Sequence, residues 1–374
     1  MTIRFRVDGR EVEVPEDGAS LLEALRDRLG VRSVKDGCSP QGQCGCCTVL
    51  VDGAPRVSCV TPVRRVADRE ITTVDGLDDE TRRAWADRFT DAGASQCGFC
   101  TPGIIVRLEG LRAKGVEPGP RSRPALDRAL AAHLCRCTGW QSIVEAWERS
   151  AADEPADVSI RSRDLDAAAR RAGIEGGVAQ SVGPGVALGR GGFADDQAPA
   201  DALVAVPDGA GGWAVAETVG EAREAAGKVQ GRRTTAEVRP PVTLPEGDWD
   251  LTLRTSWVDP APLETDASWC RPGGEPADPL ANGGAFGAKA SSPVPAVARR
   301  LADEHGRPVR VLLSREDTVR LGPKRPPMAA GLRHDGTGVV RIARTPGIAA
   351  RINAVAPSWS VEEVDVVGPP TSTD

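Results

Sequence analysis

Between Lys35 and Val51 the chain reads Lys-Asp-Gly-Cys-Ser-Pro-Gln-Gly-Gln-Cys-Gly-Cys-Cys-Thr-Val-Leu-Val, with four cysteines, Cys38, Cys44, Cys46 and Cys47, inside ten residues. Thiols this dense on a glycine-rich loop can converge on one small inorganic group. Glycine allows the positive φ angles needed to wrap it and to point backbone N–H groups at sulfur. Nine of the ten cysteines lie between Cys38 and Cys137, and only Cys270 lies outside. In a small secreted protein this count reads as a disulfide framework. The start Met1-Thr-Ile-Arg-Phe-Arg-Val lacks the apolar stretch of a secretory signal, and the chain has 374 residues. The expected setting is therefore a reducing cytoplasm, where clustered cysteines bind metal.

In the first set, Cys38, Cys44 and Cys47 share a loop and Cys59 lies farther along. The spacing C-x5-C-x2-C…C resembles the plant-type [2Fe–2S] pattern C-x4-C-x2-C…C with one extra residue. Two intervening residues let the thiolates of Cys44 and Cys47 point inward together, and adjacent residues of an extended segment point opposite ways, so Cys47 rather than Cys46 is the expected ligand. Cys46 is then a small hydrophobe beside the group. A zinc site or a set of buried free thiols is the bland alternative, but structural zinc usually joins two short C-x2–4-C units. In the second set, Gln96-Cys97-Gly98-Phe99-Cys100-Thr101-Pro102-Gly103 offers C-x2-C and Cys135-Arg136-Cys137-Thr138-Gly139 offers C-x-C. The first lies at a predicted helix start and the second at the junction of the third and fourth predicted helices, where free N–H groups and the helix dipole favour thiolate. Alone, this second set could hold zinc; a ferredoxin-like neighbour turns the balance to iron and sulfur.

The elements that must position these residues emerge from periodicity. Ile3, Phe5 and Val7, then Val12 and Val14, alternate with polar residues around Asp8-Gly9, which predicts a hairpin with a type I′ turn. Ser20 and Glu23 form a capping-box pattern ahead of Leu21, Leu22, Leu25 and Leu29 on one helical face, and Gly30 is the stop. A second hairpin is expected over Thr48–Val51 and Arg56–Val60 around Asp52-Gly53. From Asp78 the period turns helical. Trp85 and Phe89 lie i to i+4, and Thr101-Pro102 predicts an N-cap with proline at the first helical position. Ile104, Ile105, Leu108 and Leu111 come next on one stripe, as do Leu126, Leu130 and Leu134, and then Trp140, Ile143, Val144 and Trp147. Four such helices predict a small bundle. Beyond Ala151, composition predicts a linker with a short helix near Asp164–Ala172. Strands are expected at Ala202–Val206, Leu251–Trp257, Val309–Leu313 and Val339–Ile342, with a helix over Val294–Glu304.

Net charge is −6 with both signs mixed, which argues against a nucleic-acid footprint. Eight Trp, five Phe and no Tyr make a base-stacking platform unexpected. No apolar run approaches the ~20 residues that span a bilayer. His133, His305 and His334 are isolated and expect ordinary structural or surface roles.

Cys-Gly-x-Cys-Thr-Val, Gln-Cys-Gly-Phe-Cys-Thr-Pro-Gly and Leu-Cys-Arg-Cys-Thr-Gly-Trp, in this order, closely resemble the iron–sulfur subunit of molybdenum hydroxylases. That family comprises xanthine dehydrogenase, aldehyde oxidoreductase and carbon monoxide dehydrogenase. The resemblance covers residues 1 to about 150. It implies an α+β protein: a β-grasp plant-type ferredoxin domain (1–77), a four-helix [2Fe–2S] bundle domain (78–150), a linker (151–175) and a partial α+β region like the molybdopterin subunit (176–374). It implies two [2Fe–2S] clusters, one on Cys38, Cys44, Cys47 and Cys59, the other on Cys97, Cys100, Cys135 and Cys137. Gln96 matches a position that approaches the pterin. The departures are the inserted residue after Cys38, Cys46 in place of a small residue, and Trp140 where Tyr is common; none removes a ligand.

Asn282-Gly-Gly-Ala-Phe-Gly-Ala-Lys289 resembles the Gly-Gly-Gly-Phe-Gly-Gly-Lys loop of the family's molybdenum subunit, and Leu301–Arg310, Ser314-Arg-Glu316 and Lys324-Arg-Pro326 match in order. Gly283, Gly284, Phe286 and Gly287 are thereby implied as molybdopterin contacts. Such a loop lets backbone amides approach phosphate or oxo groups. The sequence beyond Ala151 is about half the length of that subunit, and no segment matches its catalytic glutamate. The expectation is an electron-transfer component whose molybdopterin cofactor lies at the interface with a partner chain. That chain would carry the rest of the subunit, and FAD, if present, would sit on a separate flavin subunit. The reaction implied is oxidative hydroxylation of an N-heterocycle or an aldehyde, within a hetero-oligomer. The competing expectations are a non-enzymatic two-cluster redox carrier with a degenerate scaffold, and a zinc-stabilised interaction protein.

Overall fold

The computed structural model describes residues 1–150, 164–174, 179–228, 239–280, 284–289 and 291–372. They form two compact units. The first comprises Met1–Gly231, Leu263–Gly284 and Pro293–Arg315, and the second Arg232–Pro262, Ala285–Ser292 and Glu316–Asp374.

The first unit opens with a five-stranded sheet of β1 (Thr2–Val7), β2 (Arg10–Pro15), β3 (Thr48–Val51), β4 (Ala54–Val57) and β5 (Glu70–Thr72), in the order β2-β1-β5-β3-β4. β1 pairs antiparallel with β2 and parallel with β5, the mixed arrangement of a β-grasp sheet. Both Asp-Gly turns carry positive φ at both residues, 52° and 77° at Asp8-Gly9 and 48° and 75° at Asp52-Gly53, as a type I′ turn requires.

Ser20 caps α1 (Leu21–Glu23) by accepting the Glu23 N–H at 3.2 Å. The expected regular helix then widens into a π-helical turn over Ala24–Arg28, where the Leu29 N–H reaches the Ala24 carbonyl. The wider turn keeps Leu21, Leu22, Ala24 and Leu25 buried and brings Arg26 inside as well. A second difference falls on the second hairpin. Its returning strand stops at Val57, and Ser58–Val60 is a 3-10 turn. Ser58 holds that turn to the cysteine loop, its hydroxyl donating to the Cys47 carbonyl at 2.8 Å.

The bundle comprises α2 (Asp79–Asp91), α3 (Thr101–Arg112), α4 (Arg123–Leu130) and α5 (Gln141–Arg149). Its centre is aromatic: Trp85 stacks on Trp147 with ring centroids 6.3 Å apart and meets Phe89 edge-on at 5.9 Å. Three expectations shift here. Cys100, not Thr101, precedes the first turn of α3. Leu134 lies beyond the end of α4 and is exposed, because the chain has turned to give its N–H to the Cys44 carbonyl. Trp140 is the left-handed residue (φ 67°) ahead of α5, and its indole N–H donates to the His133 carbonyl at 2.8 Å.

In the remainder of the first unit, β6 (Leu203–Pro207), β7 (Trp213–Ala216), β9 (Ala267–Cys270) and β10 (Val309–Leu312) form a sheet in the order β7-β6-β10-β9. A helix over Val294–His305 packs on β9 and β10. In the second unit, β8 (Leu251–Arg254), β11 (Met328–Leu332), β12 (Gly338–Ala343) and β13 (Trp359–Val364) form a sheet in the order β13-β12-β11-β8. The expected strand from Leu251 therefore ends three residues early. The main core is continuous from the β-grasp sheet through the bundle to Ala187, Leu188, Phe193 and Leu263. Among the described residues, no helix is long and apolar enough to cross a membrane.

Candidate metal centres

Cys38, Cys44, Cys47 and Cys59 are all buried and come together although Cys59 is remote in sequence. The Cys38 sulfur is hydrogen-bonded with the thiols of Cys44 and Cys59, and Cys59 also with Cys47. Backbone N–H groups approach the same sulfurs: Gln41 N–H lies 3.1 Å from Cys38 Sγ and Cys59 N–H 3.5 Å from Cys47 Sγ. Hydrogen bonds from Cys44 and Cys59 hold Cys38 far below the ordinary thiol range. Their hydrogen bonds with Cys38 push the Cys44 and Cys59 thiols well above it. The residue inserted after Cys38 is absorbed in a turn, in which Asp36 accepts the Ser39 N–H at 2.9 Å and Ser39 and Gly42 take φ values of 47° and 69°.

In the second set, Cys97 and Cys137 lie with their sulfurs 3.5 Å apart, and Cys100 is hydrogen-bonded with Cys135. The hydrogen bond from Cys100, with help from Thr138, lowers the Cys135 thiol to about 6. That from Cys97 lowers Cys137 to about 7. Each pair thus has one sulfur prepared as thiolate, the form that binds metal. Among the described residues no three such side chains meet around a single-ion position. The second set's sulfurs meet two by two and the first set's in a chain through Cys38 and Cys59, and four thiolates gathered in this way, two to each iron, are what a [2Fe–2S] rhomb takes. The donor set fits that group.

The two sets share a wall. Gly45 (φ 73°) sits so close to His133 that a Cβ there would lie 2.5 Å from the imidazole Cδ2. The Thr48 hydroxyl donates to the Gly45 carbonyl at 2.7 Å, so its oxygen accepts from His133 Nε2 at 3.0 Å and fixes that tautomer. Burial, with Arg107 nearby, lowers His133 to about 4 and keeps it neutral. The expectation of a structural histidine holds. Gly103, in the first turn of α3, needs its hydrogen too, since a Cβ would fall 2.5 Å from the Gly45 carbonyl oxygen.

Of the residues implied as pterin contacts, Gln96 is exposed beside Cys97. Gly284 (φ 73°) lies against the same cysteine, a Cβ there falling 3.0 Å from Cys97 Sγ. Gly283 lies outside the described residues. Phe286 (φ 52°, exposed) and Gly287 (φ 86°) belong to the second unit. The motif residue Arg315 donates to the carbonyls of Gly37 and Leu263. Arg310 donates to Asp27 at 2.8 Å.

A group that periodicity does not reveal lies beneath the cysteine loop. Lys35 is fully buried, with Nζ donating to the Arg32 and Gly189 carbonyls at 2.8 Å each, paired with Asp196 and 5.5 Å from the Phe193 ring centroid. Arg26 pairs with Asp195 and Asp196 at 2.7 and 2.9 Å. Its only sequence signal is an arginine inside an apolar helical stripe. Cys270, with no cysteine near it in sequence, is buried in a separate core and donates to backbone carbonyls.

Residues 5–70 match the 2Fe-2S iron-sulfur cluster binding domain and residues 73–148 the [2Fe-2S] binding domain. The chain is 35% identical over 145 residues to the nicotinate dehydrogenase small FeS subunit of Eubacterium barkeri, covering 38% of this chain and 90% of that one. It is 39% identical over 150 residues to the xanthine dehydrogenase iron-sulfur-binding subunit of Escherichia coli O157:H7, again 38% and 90%. The fold resembles that of aldehyde oxidoreductase from Desulfovibrio gigas, with a TM-score of 0.70 at 20% identity, over 99% of this chain and 58% of that one. The chain thus spans little more than half of that solved relative. With two [2Fe–2S]-binding domains in the family's order and small subunits matched over nine-tenths of their length, this chain belongs to the molybdenum hydroxylase family and carries its iron–sulfur electron-transfer part.

Proposed function

We propose that the chain passes electrons from a molybdopterin centre through two [2Fe–2S] clusters during oxidative hydroxylation of an N-heterocycle or an aldehyde. In that reaction a C–H group and water become C–OH, two protons and two electrons. When bound, the clusters supply one-electron carriers. Cys97 with Cys137 and Cys100 with Cys135 would hold the one nearer the pterin, and Cys38 with Cys44 and Cys47 with Cys59 the exit one.

The observation that carries this reading is the seating of Gly284 against Cys97, where a Cβ would lie 3.0 Å from both the Cys97 Cβ and Sγ. It supports the start of a pterin loop, at Gly284, beside a cluster ligand, with Gln96 exposed next to that ligand. Gly283, Phe286 and Gly287 are proposed to complete the loop, and a partner chain to supply the rest of the molybdopterin subunit. A flavin subunit is the expected next acceptor, and the cytoplasm the expected compartment.

The test is to purify the chain anaerobically, alone and with the product of its neighbouring gene. Iron, labile sulfide, molybdenum and pterin are then measured beside electron paramagnetic resonance spectra. Two distinct reducible [2Fe–2S] signals are expected from the chain, with molybdenum and pterin accompanying the complex. Iron without molybdenum or pterin in any complex would leave a redox carrier only. Stoichiometric zinc without sulfide would overturn both readings.

A further inference from the structure

Cys46 is not needed as a ligand by the pairing described above, yet it is 1% exposed and lies where both centres meet. A Cβ built on Gly37 would lie 3.1 Å from both the Cys44 and the Cys46 sulfur, so the two sulfurs flank the same point. Cys46 Sγ is in hydrogen-bond contact with Cys44 Sγ and lies 3.8 Å from the Cys44 carbonyl oxygen. On its other side, the Cys46 carbonyl oxygen would be only 2.7 Å from a Cβ on Gly103, so α3 is seated on this residue's backbone directly after Cys100.

A thiol has one hydrogen to give, and a metal-bound thiolate at Cys44 would be the charged and therefore stronger acceptor. The Cys46 S–H then turns to the ligand sulfur rather than to the carbonyl. Hydrogen bonds to ligand sulfurs stabilise the more negative, reduced form of an iron–sulfur centre and raise its potential. The contact favours the first set, because Cys46 is in hydrogen-bond contact with a sulfur there, whereas Cys100 of the second set feels it through space and α3 meets its backbone.

We infer that Cys46 is a positioning residue that donates a hydrogen bond to the Cys44 sulfur, raises the potential of the first centre relative to the second, and so sets the downhill direction of electron flow between them. This rests on the proposed function, in which both sets hold [2Fe–2S] clusters.

The test is an electron paramagnetic resonance redox titration of the full chain, wild type beside Cys46→Ala and Cys46→Ser. Cys46→Ala removes the donor, and the midpoint potential of the first centre is expected to fall while that of the second stays put. Cys46→Ser keeps a donor in place and is expected to restore the wild-type value or exceed it. Unchanged potentials in Cys46→Ala, or equal shifts of both centres, would overturn the inference. So would loss of the first centre's iron in Cys46→Ala, which would make Cys46 a ligand. Absence of any [2Fe–2S] signal from the wild type is a different failure, because it removes the proposed function itself.

Discussion

Cys47 and Cys46 are neighbours with different contacts, since Cys47 is hydrogen-bonded with Cys59 and Cys46 with Cys44. Cys47→Ser is expected to abolish the first [2Fe–2S] signal and leave the second, with half of the iron and sulfide lost. Metal analysis and resonance spectra of the purified variant check this, and retention of both signals would break the pairing. The proposed choice between these two cysteines rests on the two residues that separate Cys44 from Cys47, with adjacent residues of an extended segment pointing opposite ways. The contact of His133 with Gly45 was not, because it joins segments 88 residues apart that share no pattern. Lys35 was illegible for a related reason. A lysine before a cysteine loop reads as solvated, and only the carbonyls of Arg32 and Gly189, with Asp196, make its burial tolerable.

Among elements, α3 carries the tightest constraint. It begins directly after Cys100, and its third residue, Gly103, touches the backbone of Gly45 and Cys46. Backbone atoms cannot swing aside as side chains do, so Gly103→Ala has to push the helix away from the cysteine loop. Overpacking of this kind costs about 1–3 kcal/mol. The expected outcome is a lower midpoint in urea unfolding and a perturbed second [2Fe–2S] signal, while the first domain's sheet is kept in circular dichroism. A wild-type midpoint would show that the helix has slack. The helix itself was evident from Ile104, Ile105 and Leu108, all buried as the stripe predicts. The π-helical turn after Leu21–Glu23 and the 3-10 turn holding Cys59 were not. Both are local departures made tolerable by long-range partners, Asp195 and Asp196 for Arg26 and the Cys47 carbonyl for Ser58.

Across the first unit as a whole, residues from the iron–sulfur part and from the later chain share one buried set of charges. Arg26 meets Asp195 and Asp196, Lys35 meets Asp196, and Arg310 meets Asp27 at 2.8 Å and Asp195 at 3.5 Å. Burial alone would raise the Asp195 carboxyl, but Arg310 and Arg26 overcome it and hold the group far below its ordinary range. A carboxylate depressed in the folded state contributes stability above its unfolded pKa, about 4, and loses it as pH falls below that value. Asp195→Asn removes one partner from two buried guanidinium groups, but Arg26 keeps Asp196 and Arg310 keeps Asp27, so the loss is expected below the about 3–5 kcal/mol of a fully broken buried pair. Chemical denaturation at pH 7 should report that loss, and the variant's stability should fall less steeply than the wild type's between pH 4 and pH 2. Parallel acid limbs would remove Asp195 as the cause. None of these pairings could be seen in sequence, since their members stand up to 283 residues apart. Of the third region's strands, β6, β8, β10 and β12 were legible, while β7, β9, β11 and β13 and the order of all in the sheets were not.

That shared interior has a consequence for assembly. In some relatives matched over residues 1 to about 150, such as those from Eubacterium barkeri and Escherichia coli O157:H7, the iron–sulfur part is a small subunit, a separate chain. Here the same part lies on one polypeptide with Phe193, Asp195, Asp196 and Arg310, which line its buried face. What would be a bimolecular equilibrium becomes an intramolecular one, governed by an effective concentration rather than by the amount of protein in solution. The junction should therefore survive dilution that parts separate subunits, and its two sides are fixed at one to one by translation.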